Sequence, residues 1–535
     1  MRRADFLVAA GAAVAFPAAA AAASARPRLH DLRVRTDGPA YAGDRRLLAT
    51  VSPKRPRAIV SFRLDEPARV LLQAVRTDTI RVGRPSEEVV WARETQLGAG
   101  SHELSWTPGK RVEPRTYILR LTAYGPRGAR NVFGAHRPGG LVTGPVVRVL
   151  GVEAGFPRTS YAPGEETEVR IATDARTLEL QVFRYGGSVR PSSRDLRTNG
   201  LAMTPAVKLD WRGHQDAPAT LKVQRAGKWP SGLYFLRVRT DDGRVGYAPF
   251  ILRPKRLGVA RTAVVLATNT WQAYNFHDSD GDGWGDSWYV ANSIKSLDAT
   301  RPYQDFGVPF RFKDWDLTFI AWLNRTQKQV DFLADDDIER VTSGAELRRA
   351  YDLIVFPGHE EYVTKRAYDV VERYRDLGGN LMFLAANNFF WKVRREGSRL
   401  VKDDLWRDVG RPEASLVGTH YVGSDHGERR APYTVVGSAD APWLFEGTGL
   451  TDGSTFGEYG IEIDSTAASS PAGTRVLASI PDLMGPGRSA EMTYYETPAG
   501  AEVFSAGAID FAASLHRPEV NRMLENLWLK LGPVS

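Results

Sequence analysis

Residues 351 to 364 read Tyr351-Asp352-Leu353-Ile354-Val355-Phe356-Pro357-Gly358-His359-Glu360-Glu361-Tyr362-Val363-Thr364. Leu353 to Phe356 is an unbroken apolar run of strand length, closed by Pro and Gly, and polar side chains follow at once. A strand that is apolar on both faces belongs to a parallel sheet covered by helices. Open sheets of that kind bind ligands outside the carboxyl ends of their strands. His359, Glu360, Glu361 and Tyr362 therefore stand where such a sheet places its chemistry.

The pattern extends on both sides. Residues 263–267, 330–333, 381–384 and 503–505 are further short apolar runs. Residues 316–323 and 520–531 have helical spacing. Between residues 364 and 377, Ala367, Val370, Val371, Tyr374 and Leu377 fall on one helical face, and Gly378-Gly379 ends it. Strands alternating with helices predict a mostly parallel sheet covered on both faces over residues 258–535. Four strand ends carry polar residues: Thr268 to Asn275, His359 to Tyr362, Ala385 to Trp391, and the stretch around Glu491 to Glu496. All four are expected to converge on one crevice.

Upstream the period is two, not 3.6. Residues 58–64, 68–75, 167–171 and 178–183 are strand-length runs separated by Gly/Pro turns. Thr116-Tyr117-Ile118-Leu119-Arg120-Leu121 repeats as Leu233-Tyr234-Phe235-Leu236-Arg237-Val238, and Trp106 and Trp211 precede the two copies. This predicts two immunoglobulin-like sandwiches, residues 26–150 and 151–255, with both Trp packed in their cores.

The net charge of +8 over 535 residues is spread without a basic stripe, which argues against nucleic-acid binding. The chain has no cysteine, which excludes disulfides, thiolate nucleophiles and Cys-ligated zinc. Arg2-Arg3, the apolar run after Phe6 and Ala23-Ser24-Ala25 read as a signal peptide over residues 1–25, either twin-arginine or ordinary secretory, and predict an exported protein. No later stretch has the length of a transmembrane segment.

Residues 258–535 resemble the C-terminal domain of the N,N-dimethylformamidase large (β) subunit. The resemblance rests on Ala273-Tyr274-Asn275, Ser287-Trp288-Tyr289, Gly358-His359-Glu360-Glu361-Tyr362, Gly378-Gly379-Asn380, Asn387 to Trp391, and Glu496 before Val503-Phe504-Ser505. It implies a class I glutamine amidotransferase-like, flavodoxin-like α/β domain following the two sandwiches. It also implies a mononuclear Fe3+ held by Tyr274, Tyr289 and Glu361, with His359, Asn387 and Glu496 as catalytic partners, Glu491 as the competitor for the place of Glu496, and Lys392 as the candidate for a site lysine. The amidotransferase mechanism itself needs a Cys nucleophile and is excluded. The expected function is an exported hydrolase of amide-type C–N bonds acting on a small-molecule amide.

Two readings stand beside this one. Asp278-Ser279-Asp280-Gly281-Asp282-Gly283-Trp284-Gly285-Asp286 places Asp278, Asp280, Asp282 and Asp286 at calcium-loop spacing, although Tyr289 occupies the twelfth position where a Glu is usual. A Ca2+ there would order the loop carrying Tyr289. Alternatively, the α/β half is a non-catalytic scaffold and the sandwiches dock cell-wall glycans at the cell surface.

Overall fold

The computed structural model describes residues 27–533, apart from 38–40, 43–46, 82–83, 126–127, 135–144, 187–199, 216–218, 225–228 and 290–293. The leader reading, residues 1–25, lies outside the described residues. The chain folds as a β-rich multidomain protein. No helix among the described residues is long and apolar enough to cross a membrane.

The N-terminal part pairs a three-stranded sheet with a seven-stranded one. Residues 153–252 pair a three-stranded sheet with a six-stranded one. The repeat read in the sequence is a repeated local device. Tyr117 lies on the strand Thr116–Tyr124 and Tyr234 on the strand Gly232–Thr240. The Tyr117 hydroxyl donates to Glu113 O at 2.9 Å and that of Tyr234 to Pro230 O at 2.6 Å, each reaching four residues back. Trp106 and Trp211 are buried, the first packed edge-on against Tyr117 at 5.4 Å. Each ring fills the space between two sheets, the packing role expected of them.

The second sandwich is welded to the C-terminal half. Phe183, Tyr185, Phe235 and Tyr247 share one continuous core with Trp271, Phe312 and Trp322. Tyr185 meets Phe312 at 5.1 Å between ring centres. At Gly307 the backbone presses on the same sandwich, because a Cβ there would lie 1.6 Å from Tyr247 O, and its φ is +88°. Gly307→Ala is therefore expected to lower stability by about 3 kcal/mol or more, read by thermal unfolding; a variant melting with the parent would show that this loop is not clamped.

Arg148 of the first sandwich joins the second through an ion pair and reaches the residue before the acidic loop through a hydrogen bond. Arg148 Nη2 lies 2.7 Å from Glu153 Oε2 and 3.1 Å from His277 Nε2. Burial alone would raise the Glu153 carboxyl, but Arg148 and His277 outweigh it and hold it at about 2, against an ordinary 4.5. A depressed carboxyl adds stability that is present above pH 4.5 and lost as pH falls through 2. Glu153→Gln should flatten acid unfolding in that window by about 3 kcal/mol at most. An unchanged acid limb would remove this pair from the stability of the joint.

The C-terminal half is built on nine strands: β1 Thr262–Leu266, β2 Asp331–Ala334, β3 Leu353–Phe356, β4 Asn380–Phe383, β5 Arg430–Val435, β6 Thr455–Gly460, β7 Arg475–Ile480, β8 Ala490–Glu496 and β9 Glu502–Ser505. Their order is β2-β1-β3-β4-β9-β8-β7-β5-β6. The first five are parallel, in a doubly wound order. The remaining four join antiparallel, so the sheet is less parallel than the sequence predicts. The reason lies in residues 497–501, where Thr497 N donates to Ala501 O at 2.8 Å. A link that tight closes a hairpin and cannot make the crossover a parallel pair needs. The helix Lys365–Asp376 covers β3 and β4; Thr364 Oγ1 caps it by accepting from Ala367 N at 3.1 Å, and Gly378 ends it at φ +84°.

Candidate functional site

Three of the four polar strand ends converge as expected. β1 leads into the helix Thr268–Ala273, which delivers Tyr274; β3 delivers His359 and Glu361; β4 delivers Asn387. Tyr274, His359, Glu361 and Asn387 are all buried. The Tyr274 hydroxyl donates to Glu361 Oε2 at 2.6 Å and lies 3.1 Å from His359 Nε2. His359 Nδ1 donates to Ala386 O at 2.9 Å, which turns Nε2 toward the acids. Nε2 is then 3.3 Å from Glu361 and 3.5 Å from Glu462. Burial would lower the His359 pKa, but Glu462 and Glu361 hold it up at about 9, while burial raises that of Glu462.

The fourth strand end goes elsewhere. Glu496 closes β8, which runs against β9, and it pairs with Glu502 at the start of that strand. It therefore sits at the amino-terminal rim of the parallel strands, opposite the cluster. It is exposed, with Arg475 at 3.5 Å and the Tyr494 hydroxyl at 3.0 Å. The late glutamate of the cluster is Glu462, on the short strand Glu462–Ser465. Glu462 O accepts from Ile509 N at 3.2 Å and Asp464 N donates to Gly507 O at 3.0 Å, which hangs this strand on the exit of β9. In sequence, Gly460-Ile461-Glu462-Ile463-Asp464 carries an alternation with both acids on one face, the signal that could have found it.

Asn387 is held in a left-handed conformation at φ +56°. Both carboxylate oxygens of Asp464 accept from its backbone N, at 2.8 and 2.9 Å, while its Nδ2 donates to Glu462 Oε2 at 2.9 Å. Its Oδ1 is buried with no partner among the described residues. Left-handed backbone outside glycine persists where the surroundings over-determine it, and such places gather at functional sites.

Tyr289 is beside this cluster, half-buried, with its hydroxyl bonded to a residue outside it. Its ring is 4.8 Å from that of Tyr274, while its hydroxyl meets His426 Nδ1 at 2.8 Å. Glu360 does not join Glu361; it is buried against Asp335, and burial followed by that carboxylate raises its pKa well above the ordinary value. Lys392 pairs loosely with Asp403 at 3.9 Å. The lysine that feels Glu361 is Lys402, on the strand Arg399–Leu405, with its ammonium 4.8 Å from the centre of the Trp391 ring and 5.4 Å from that of Trp288. Burial lowers its pKa to about 8 against the opposing pull of Glu361.

In the acidic loop, one carboxylate oxygen each from Asp278, Asp280 and Asp282 lies within 4.8 Å of the others. Asp286 stands outside this group, accepting from Ser279 N at 2.9 Å and facing Arg301 at 3.8 Å.

The fold and this cluster define a class: a doubly wound sheet whose strand ends gather buried oxygen donors around one imidazole. The chain belongs to the N,N-dimethylformamidase beta subunit-like, C-terminal family, whose pattern matches residues 180–523. The match begins inside the second sandwich, in keeping with the core that sandwich shares with the α/β half. Two relatives, the N,N-dimethylformamidase beta subunits of Alcaligenes sp and Paracoccus aminophilus, are each 26% identical over 275 residues, covering 40% of this chain. The matched region is 36% of each relative, little more than a third of its length.

Proposed function

We propose that this chain is an exported hydrolase of amide-type C–N bonds that works with a single ferric ion. The observation that carries the reading is the meeting of Tyr274, Glu361 and Glu462 around His359. Two buried carboxylates and a phenol there face one imidazolium, and Asn387 Oδ1 adds an unpartnered carbonyl. Such a pocket suits a further cation, and hard oxygen donors suit a hard ion such as Fe3+. Tyr274 and Glu361 would hold it; Tyr289 would join them by exchanging its hydrogen bond to His426 for the metal. Lewis-acid polarisation of the amide carbonyl is the chemistry the ion supplies when bound.

The chain's own groups account for the proton traffic. The water oxygen bonds to the acyl carbon, the C–N bond breaks, and the amine nitrogen takes a proton. Glu462, fixed by Asn387 Nδ2, takes the proton from water and returns it to the leaving nitrogen. Asn387 holds Glu462 in place, and His359 balances both acids. Burial keeps bulk water from competing with these contacts. The β2-β1-β3-β4-β9 order, which is 2-1-3-4-5 when the parallel strands alone are counted, supports an amidotransferase-like scaffold. The paired Tyr devices support immunoglobulin-like sandwiches. Export rests on residues 2–25 alone.

Ferric phenolate ligation gives a visible charge-transfer band. Purified protein is expected to be coloured, and the double variant Tyr274→Phe, Tyr289→Phe to lose both the band and hydrolysis of a simple formamide. Colourless parent protein, free of iron by elemental analysis, would refute the metal assignment.

A further inference from the structure

A broad cleft of about 1500 Å3 opens where both sandwiches meet the α/β half. Seven basic side chains line it against two acidic ones, Glu113 and Asp305. Both acids are engaged by a neighbour, since Arg115 Nη2 lies 2.7 Å from Glu113 Oε2 and 3.1 Å from Asp305 Oδ1. Lys110 and Arg111 project from the first sandwich and Arg239 from the second; all three are exposed and have no carboxylate partner among the described residues. Arg311 adds a fourth cation, with Asp314 at 3.5 Å. A charge that is dispersed along the sequence is thus gathered in space from three segments. A cleft lined by one sign of charge concentrates ligands of the other.

One wall of the cleft is also a wall of the site. Phe310 and Arg311 line the cleft, and the Phe310 ring lies 6.1 Å from Tyr274 and 5.7 Å from Tyr289. The loop that carries them is fixed: Phe306 and Arg311 have φ of 56° and 55°, Gly307 presses on Tyr247, and Tyr247 N donates to Phe306 O at 2.7 Å. The Phe310 ring is thus the one layer between the cleft and the buried Tyr274.

We propose that this cleft binds the carboxylate-bearing body of an acidic, peptide-like amide and feeds its acyl end to the site. The substrate class rests on the amide-hydrolase reading above. The volume exceeds the roughly 300–1000 Å3 of a pocket for one small molecule, which suits an extended chain. Pro53, Pro108 and Pro309 add apolar lining to the same cleft as the cations, which suits carboxylates carried on aliphatic arms.

The test compares N-formyl-tetraglutamate with N-formyl-tetraglutamine on the full chain, and separately follows fluorescein-labelled polyglutamate by anisotropy. The acidic substrate is expected to have a kcat/KM about tenfold higher or more at low salt. That advantage should vanish near 1 M salt, where charges are screened within ~3 Å. In the triple variant Lys110→Glu, Arg111→Glu, Arg239→Glu, whose folding is checked by thermal unfolding, the ratio should fall to one or below and polyglutamate binding should be lost. Salt-sensitive polyglutamate binding that depends on these residues supports the cleft even where neither amide turns over, an outcome that strikes the hydrolase reading alone. Equal turnover of both substrates with no polyglutamate binding overturns the proposal. So does tighter binding of single-stranded DNA of matched charge, which would assign the cleft to nucleic acid.

Discussion

Glu361→Gln is expected to abolish the proposed amide hydrolysis, lowering kcat/KM by about three orders of magnitude or more, while the protein still folds. The substitution keeps the shape and leaves the Tyr274 hydroxyl an amide oxygen to donate to, where it now donates to Glu361 Oε2 at 2.6 Å. What it removes is charge. His359 Nε2 lies between Glu361 and Glu462 at 3.3 and 3.5 Å, so one of the two acids balancing the imidazolium disappears. On the proposed ferric reading, the only carboxylate in the ligand set disappears with it. Loss of turnover and of iron by elemental analysis, in a protein that still unfolds cooperatively, though at a lower temperature, is the expected joint result. Full iron content with intact turnover would show that Glu361 is a structural acid held by Tyr274, and the ligand assignment would fall.

The sequence made the scaffold legible where burial is two-sided. Leu353 to Phe356 is apolar throughout because both faces of β3 are covered, and that pattern has one reading. The helix Lys365–Asp376 was equally plain, because its buried face, its Thr cap and its terminal Gly agree. The antiparallel half of the sheet was not legible, since strand direction there is set by turns such as residues 497–501 and leaves apolar runs unchanged. The same cause misplaced the late glutamate. Glu496 ends an apolar strand just as His359 follows one, but β8 runs the other way, so its end faces the wrong rim. Lys402 was hidden for a different reason. A lysine in an alternating strand reads as solvated, and only the stacking of Trp288 and Trp391 around it shows that it is buried.

That misplacement makes a paired experiment decisive about which carboxylate moves protons. Glu462→Gln is expected to lower kcat by about 10²- to 10⁴-fold, the usual loss on removing a positioned acid–base group. KM should change little, because the side chain is proposed to act on the water and not to anchor the substrate. Glu496→Gln should leave kcat, KM and melting within error. That residue is exposed, its contacts are with Arg475 and Tyr494, and an exposed ion pair of this kind contributes about 0–1 kcal/mol. Asn387→Ala connects the two measurements to mechanism. Its Nδ2 fixes Glu462 at 2.9 Å, so its loss should lower kcat by a smaller factor and in the same direction. It should add little to the loss in the Glu462→Gln background, since the two residues would act as one unit. Additive losses in the double variant would separate Asn387 from Glu462. Strong impairment by Glu496→Gln with a mild effect of Glu462→Gln would place the reacting water on the opposite rim of the sheet, and the site built from Tyr274, His359 and Glu361 would no longer account for the chemistry.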